Sequence, residues 1–251
     1  MARILFLRDT DGSSYEFNET FRVEGLPFTV RVNNEAIAFS HGGIDVGDDK
    51  VSSRLISISG LIHDSDQDAH DVKVQAFLTA VMKKDQQLYW NTLKYINVKS
   101  LKKYSPKPVL GADGYVTEIS IVLLCDDPFF YNVSTNSQFV ALDGSPKTFN
   151  VTNPGGIEVF PLFGFTSQVD NVSFALANVT AGLCFSYVDA GFTAGKTISI
   201  DGQLGQADNS GVDSIRYFDG MFLTLLPGVN TLSYEGATLA GLSILFNERN
   251  L

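Results

Sequence analysis

The chain has 251 residues, 44% hydrophobic and 18% charged, with 28 acidic against 18 basic side chains and a formal charge of −10. That is apolar enough for one large or two ordinary cores and too sparsely charged for a disordered tail. The acidic balance argues against partners that need clustered positive charge, nucleic-acid phosphates and anionic lipid alike, and no apolar run approaches the ~20 residues of a membrane span.

Phe (19) and Gly (22) are heavily used whereas Met (3) and Trp (1) are scarce, a balance that leans towards an all-β chain. At the N-terminus, "MARILFLRDTDG" holds only "ILFL" as an apolar run, short of the ~7–15 residues of an export signal, so none is expected. Residues 1–63 read as strands: "YEFNETFRVEG", "FTVRVNN" and "RLISISGLI" each alternate apolar and polar residues. In the last of these, Ile56, Ile58 and Ile62 share one face and Ser57, Ser59 and Leu61 the other.

The period then changes. In "DSDQDAHDVKVQAFLTAVMKK", Val74, Phe77, Leu78 and Val81 recur at helical spacing, predicting a helix over about 66–84. Asp64, Ser65 and Asp66 stand where its start is capped. Asp68 and Asp71 lie near the positive end of its dipole, Lys83 and Lys84 near the negative end.

Two long strand candidates follow, "QLYWNTLKYINVKSLKKYS" and "GYVTEISIVLLCDDPFFY", joined by "PKPVLGADG". They predict a projecting hairpin over about 91–125, basic through Lys94, Lys99, Lys102, Lys103 and Lys107. The segment 45–71 is its opposite, with Asp45, Asp48, Asp49, Asp64, Asp66, Asp68 and Asp71. In a head-to-tail ring one could meet the other between subunits; they could equally be two solvated surfaces of unrelated charge.

"DDPFFYNVSTNSQ", 126–138, looks like a boundary, dividing the chain into domains 1–135 and 136–251. Beyond it come short strands: "KTFNVT", "VFPLFGF", "NVSFALAN", "LCFSYV", "KTISIDG", "VDSIRYF", "MFLTLLP", "NTLSYEG" and "AGLSILFNE". Turn signals separate them every ~8–12 residues, as in a β-sandwich. In "MFLTLLPGVNTLSYEG", Pro227 and Gly228 suit a type II turn, and the break reads as the corner of a hairpin.

Signals for chemistry are weak. Asp64, Asp66 and Asp68 mimic the first ligands of a calcium loop, but Ala69 stands where Gly is needed and Gln75 where Glu is needed. His41, His63 and His70 have no zinc-ligand spacing, and surface or capping roles are expected for the last two. No G-x-S-x-G motif occurs, Gly155-Gly156 reads as a turn, and Asp126 and Asp127 point to opposite faces of a strand, so they cannot act as a glycosidase pair. Cys125 and Cys184 sit in apolar strand-like runs and read as buried free thiols. The sequons at Asn18, Asn132, Asn150, Asn171 and Asn178 read as chance products of strand ends. No enzyme, cofactor or metal site is predicted.

The order of these features resembles the distal tail protein (Dit) family of siphovirus-like bacteriophages. The first half resembles it through strands, then "ISISGLIHDSDQDAHDVKVQAFLTAVMKKDQQLYW", then a long hairpin ending in "DPFFY". The second half does so through "NPGGIEVFPLFGF", "ISIDG" and "GMFLTLLPGVNTLSYEG". The resemblance implies a mainly β, two-domain fold: an N-terminal domain with one helix and a belt hairpin, and a C-terminal galectin-like β-sandwich. It further implies a hexameric ring at the distal end of the phage tail, made in the host bacterial cytoplasm, joining the tail tube protein to the tail-tip hub and able to carry receptor-binding proteins. The alternative is a carbohydrate-binding sandwich, for which Trp90 lies outside the sandwich and Tyr187, Tyr217 or Tyr234 would have to supply the stacking face. A hydrolase would need a carboxylate pair across a cleft that the sequence does not locate.

Overall fold

The computed structural model describes residues 5–9, 11–25, 34–36, 43–45, 51–104, 106–109 and 114–251. The fold is mainly β and divides into two compact units, one of residues 1–130 with Leu251, the other Tyr131–Asn250.

The first unit contains β1 (Leu5–Arg8), β2 (Ser14–Phe17), β3 (Arg22–Glu24), β4 (Asn34–Ala36), β5 (Gly43–Asp45), β6 (Arg54–Asp64), α1 (Gln67–Val81), β7 (Gln86–Tyr89), β8 (Lys94–Tyr104), β9 (Lys107–Pro108) and β10 (Tyr115–Cys125). Strand β10 is antiparallel to β6 over its whole length, from Tyr115 opposite Asp64 to Cys125 opposite Arg54, and pairs with β8 on its other side. Beyond β6 lies β3; beyond β8 come β7, β1 and β2; β4 pairs with β5. Alternation places Ile56, Ile58 and Ile62 of β6 beside Ile119, Ile121 and Leu123 of β10 in one buried layer.

Helix α1 lays Phe77 and Val81, with half-buried Val74 and Leu78, on that layer. A 15-residue helix is marginal alone in water, and burying Phe77 contributes about 2–3 kcal/mol to holding it. The Phe77 ring meets Tyr15, Phe17 and Phe21 at centroid distances of 5.5, 6.3 and 6.0 Å. Gly60 occupies the same strand face as the three isoleucines, and a Cβ there would come within 2.5 Å of the Phe21 ring.

Four details differ from the sequence reading. His70 is buried on the same helical face as Val74, Phe77 and Val81, where a surface or capping role was expected. Asp66 is the N-cap residue but its side chain makes no capping bond; instead Asp64 Oδ1 accepts from the Asp66 N–H (3.2 Å). Lys83 turns from the helix end to Asp9 (2.9 Å) and Asp11 (3.2 Å). The predicted strand over 87–105 is broken at Trp90–Leu93, because Asn91 Oδ1 accepts from the N–H groups of Leu93 and Lys94 and closes a turn between β7 and β8.

The second unit contains β11 (Phe130–Leu142), β12 (Lys147–Asn153), β13 (Leu162–Thr166), β14 (Val172–Asn178), β15 (Leu183–Asp189), β16 (Thr197–Asp201), β17 (Gln206–Asn209), β18 (Val212–Asp213), a 3-10 turn (Ile215–Tyr217), β19 (Phe218–Gly220), β20 (Gly228–Gly236) and β21 (Leu239–Asn250). One sheet runs β18-β17-β16-β13-β21-β11, the other β12-β20-β14-β15-β19. Their inner faces share a single core, in which Phe165 of the first sheet meets Phe174 of the second at 4.4 Å.

The stretch 126–138, read as a boundary, contains most of the long strand β11. Its polar side chains hid it: Asn132 and Asn136 donate to Glu248 (2.5 and 3.1 Å), and Asn247 returns a bond to the Asn132 carbonyl (2.9 Å). "VDSIRYF", read as one strand, is two short strands separated by the 3-10 turn.

The corner at Pro227-Gly228 is real, with Gly228 at φ +89°, but it does not join two strands of a hairpin. Strand β20 pairs with β12 and β14, and the residues before Pro227 form only one bridge, Leu225 to Val159. Three fully buried asparagines complete the connection. Asn230 accepts from the Leu226 N–H (2.9 Å) and donates to the carbonyls of Leu226 (2.7 Å) and Gly228 (3.1 Å). Asn178 donates to the Thr224 carbonyl (2.6 Å) and to Asn230 Oδ1 (3.1 Å). Asn153 donates to the carbonyls of Leu225 (3.1 Å) and Ile157 (2.9 Å).

Asn230→Ala therefore orphans several buried backbone groups and is expected to cost about 2–4 kcal/mol in denaturant unfolding. Thr148→Ala, exposed on the neighbouring β12, should stay within about 0.5 kcal/mol. Equal small losses for both would mean that the asparagine network does not hold the corner.

Candidate functional site

The charged segments are the candidate site, and the register of the first unit locates them. Lys99 lies opposite Leu124, near the end of β10, and its ammonium contacts Asp126 at 2.8 Å, with both side chains more than half exposed. The Asp126 carboxylate, through hydrogen bond and charge, raises the Lys99 pKa. Lys94 is half-buried at the turn after β7, and Lys107 is exposed at the far end of the hairpin, opposite Glu118. Lys102 and Lys103 fall on β8, but their side chains lie outside the described residues. The hairpin lysines are thus spread along its length, and one already has a partner in its own chain.

The acidic group separates in the same way. Asp64 contacts Lys73 at 2.6 Å, and that hydrogen bond, reinforced by the backbone N–H of Asp66, holds its pKa down from 3.8 to about 2. Asp66, Asp68 and Asp71 are exposed around the first turns of α1. They share one end of the β6–β10 pair with the distal part of the hairpin, since Tyr115 is opposite Asp64. The Asp45 side chain, together with Asp48, Asp49 and His41, lies outside the described residues. Among the described residues, no three His, Cys, Asp or Glu side chains converge as a metal site, and no helix is long and apolar enough to cross a membrane.

The two thiols differ, against the expectation that both are buried. Cys125 faces the core, and desolvation pushes its pKa up to about 12; Cys184 is exposed on the outer face of β15. The aromatic side chains considered for sugar stacking are mostly enclosed. Tyr187 and Tyr234 are fully buried, Trp90 is half-buried edge-on to Phe130, and Tyr217 lies under the Arg216 guanidinium at 4.6 Å. Asn178, one of the five sequon asparagines, is fully buried.

Two measurements check this description. A thiol reagent should modify Cys184 in the native protein at neutral pH and reach Cys125 only on unfolding; modification of both at one rate would contradict the assigned burial. Because the folded pKa of Asp64 is depressed, its contact with Lys73 stabilises above the ordinary carboxylate pKa of 3.8 and is lost as pH falls towards about 2. An NMR titration of Asp64 should therefore show a midpoint near 2 that moves up towards 3.8 in Lys73→Met.

No protein-family model and no curated protein matches this sequence. Among solved structures, the chain is similar to the SPP1 Dit (gp 19.1) protein, described as a paradigm of the hub adsorption apparatus in phages that infect Gram-positive bacteria. The two share 13% identity at a TM-score of 0.75, over 98% of this chain and 99% of the other. Such a likeness spans both units, and from end to end this chain has the fold of the SPP1 Dit protein.

Proposed function

We propose that this chain is a distal tail protein, a structural component of a bacteriophage tail tip with no catalytic role. The observation that carries the reading is the likeness to SPP1 Dit over essentially all of both chains, which covers the first unit, with its helix and hairpin, and the sandwich alike. Six copies form a closed ring between the tail tube protein and the tail-tip hub, and the galectin-like second unit offers a surface for receptor-binding proteins. The location is the distal end of the tail in the virion, after synthesis in the host bacterial cytoplasm.

A ring is built from heterologous contacts, in which one surface of a subunit meets a different surface of the next. The hairpin and the acidic helix start supply two such surfaces. Lys99 and Asp64 are paired within the chain, so the hairpin's candidates for the contact are Lys94 and Lys107, with Lys102 and Lys103 of the sequence. Their proposed counterparts are Asp66, Asp68 and Asp71, the last also 3.4 Å from His70 Nδ1 in its own chain, together with Asp45, Asp48 and Asp49 of the sequence. The burial of Tyr187 and Tyr234 removes two of the three rings that a carbohydrate-stacking function would have used, and favours the structural reading.

Light scattering should give six copies of the 27.4 kDa chain, about 164 kDa, or a monomer that closes into that ring when mixed with hub protein. Lys107→Glu should weaken the ring, with the mass falling at lower salt than in the wild type, and Asp71→Lys in the same chain should restore it. A chain that stays monomeric alone and with hub protein would overturn the proposed function. An intact ring in Lys107→Glu would overturn only the assignment of the contact.

A further inference from the structure

Around the turn between β16 and β17 the second unit leaves large apolar side chains in solvent. Leu204, in that turn, is 66% exposed, and Phe160, just ahead of β13, is 37% exposed. Half-buried Phe222 joins them. A Cβ built on Gly202 would come within 3.4 Å of the Phe160 side chain, and one on Gly205 within 3.9 Å of the Phe222 ring, so the turn touches both rings. Single apolar side chains are ordinary on a surface, whereas a contiguous set marks a place of contact. This set is also held in place. Asp201 Oδ1 accepts from the N–H groups of Gln203 (2.8 Å) and Leu204 (3.0 Å) and fixes the turn. Phe222 stacks on Phe218 at 4.5 Å, and Phe218 on buried Phe185 at 5.2 Å, an aromatic stack that runs from the core to the surface. A partner meets rings that are already ordered, which lowers the entropy cost of binding.

The charge beside these side chains has one sign. Glu158 shares the outward face of its segment with Phe160, the Val159 between them being buried. Asp201 lies in the turn that carries Leu204, and exposed Asp219 precedes Phe222 by three residues. Ten acidic side chains but only four basic ones occur in the second unit, and none of the four falls within 158–166, 197–208 or 217–228. Arg249 does approach Glu158, but its guanidinium is engaged there with the Glu158 carbonyl (3.1 Å).

That pattern selects the occupant. A second copy docking by the same patch would set three carboxylates against their equivalents, and anionic lipid would meet the same repulsion. A segment with an apolar anchor between cations meets neither obstacle: the anchor covers Leu204 and the two rings while its flanks face the carboxylates. We infer that this patch docks a protein segment in which one or two large apolar side chains stand between Lys or Arg residues. The inference gives a place and a chemistry to the partner surface proposed for the second unit, and it rests on that reading only for the source of the partner.

The test uses the full chain and NMR titration with two end-capped peptides at millimolar concentration, Lys-Leu-Phe-Leu-Lys and Glu-Leu-Phe-Leu-Glu. The lysine peptide should shift the backbone amides of Phe160, Leu204 and Phe222, and the glutamate peptide should not. Leu204→Ser should weaken that binding about tenfold or more and keep the melting temperature within about 2 °C, since the side chain it shortens lies mostly in solvent. The inference is overturned if neither peptide moves these amides, if both move them alike, or if Leu204→Ser binds as the wild type does. It is also overturned if the mass in solution falls in Leu204→Ser, which would make the patch a contact between copies of this chain. A chain that binds the lysine peptide yet forms no ring, alone or with hub protein, keeps this docking surface and loses the tail-tip reading.

Discussion

A chain that crosses the interior of a β-sandwich without forming a strand must still pair its backbone N–H and C=O groups, because each one left bare costs about 1–3 kcal/mol. In the second unit this constraint falls on Leu223 to Leu226, which are buried or half-buried yet make a single bridge, from Leu225 to Val159. The side-chain amides of Asn153, Asn178 and Asn230 take the place of the missing strand neighbour. Each amide carries a donor and an acceptor in one rigid plane, which suits it to imitate a peptide group. The same residues fix the register of the sheet they belong to, since Asn230 lies opposite Val151 on β12 and Asn178 opposite Leu232 on β20. The two phenylalanine-rich sheets can close on each other only with β20 in place between β12 and β14.

This network explains why certain short motifs carried information in the sequence. "NPGG" and "LPGVN" hold two of the three asparagines, and the Asp201 of "ISIDG" closes its own turn by accepting from the N–H groups of Gln203 and Leu204. Strands with clean alternation, such as β6, β14 and β20, were legible because one face is buried and the other is not. Strand β11 was not, since its polar side chains satisfy one another across to β21 and leave no apolar period to read. His70 could have been found by extending the helical pattern of Val74, Phe77 and Val81 one turn back. The charged segments were visible as composition, but which charges pair was not: Lys99 and Asp126 are 27 residues apart and meet only through the pairing of β8 with β10.

The first unit separates its sources of stability from its sources of specificity. Its core is apolar and aromatic, with α1 pressed onto β6 and β10 through Phe77. Its ion pairs lie at the surface, where such contacts contribute about 0–1 kcal/mol each. Charge on this unit can therefore be rearranged with little effect on folding. Strand β10, bonded on both sides and buried on one face, ties the hairpin to β6 along its whole length.

The buried asparagines also bear on how the protein ages. Hydrolysis of an asparagine amide replaces its donor with a carboxylate oxygen. At position 230 that oxygen would face the carbonyls of Leu226 and Gly228, and at position 178 the carbonyl of Thr224. Acceptor would then meet acceptor, and a charge would have to be buried as well. A change of one mass unit at either residue is thus a route to losing the sandwich, whereas the same change at exposed Asn150 leaves the core untouched. The tight hydrogen bonding that holds these amides also keeps them from reaching the backbone nitrogen that starts the reaction, so the folded state protects the groups on which it depends.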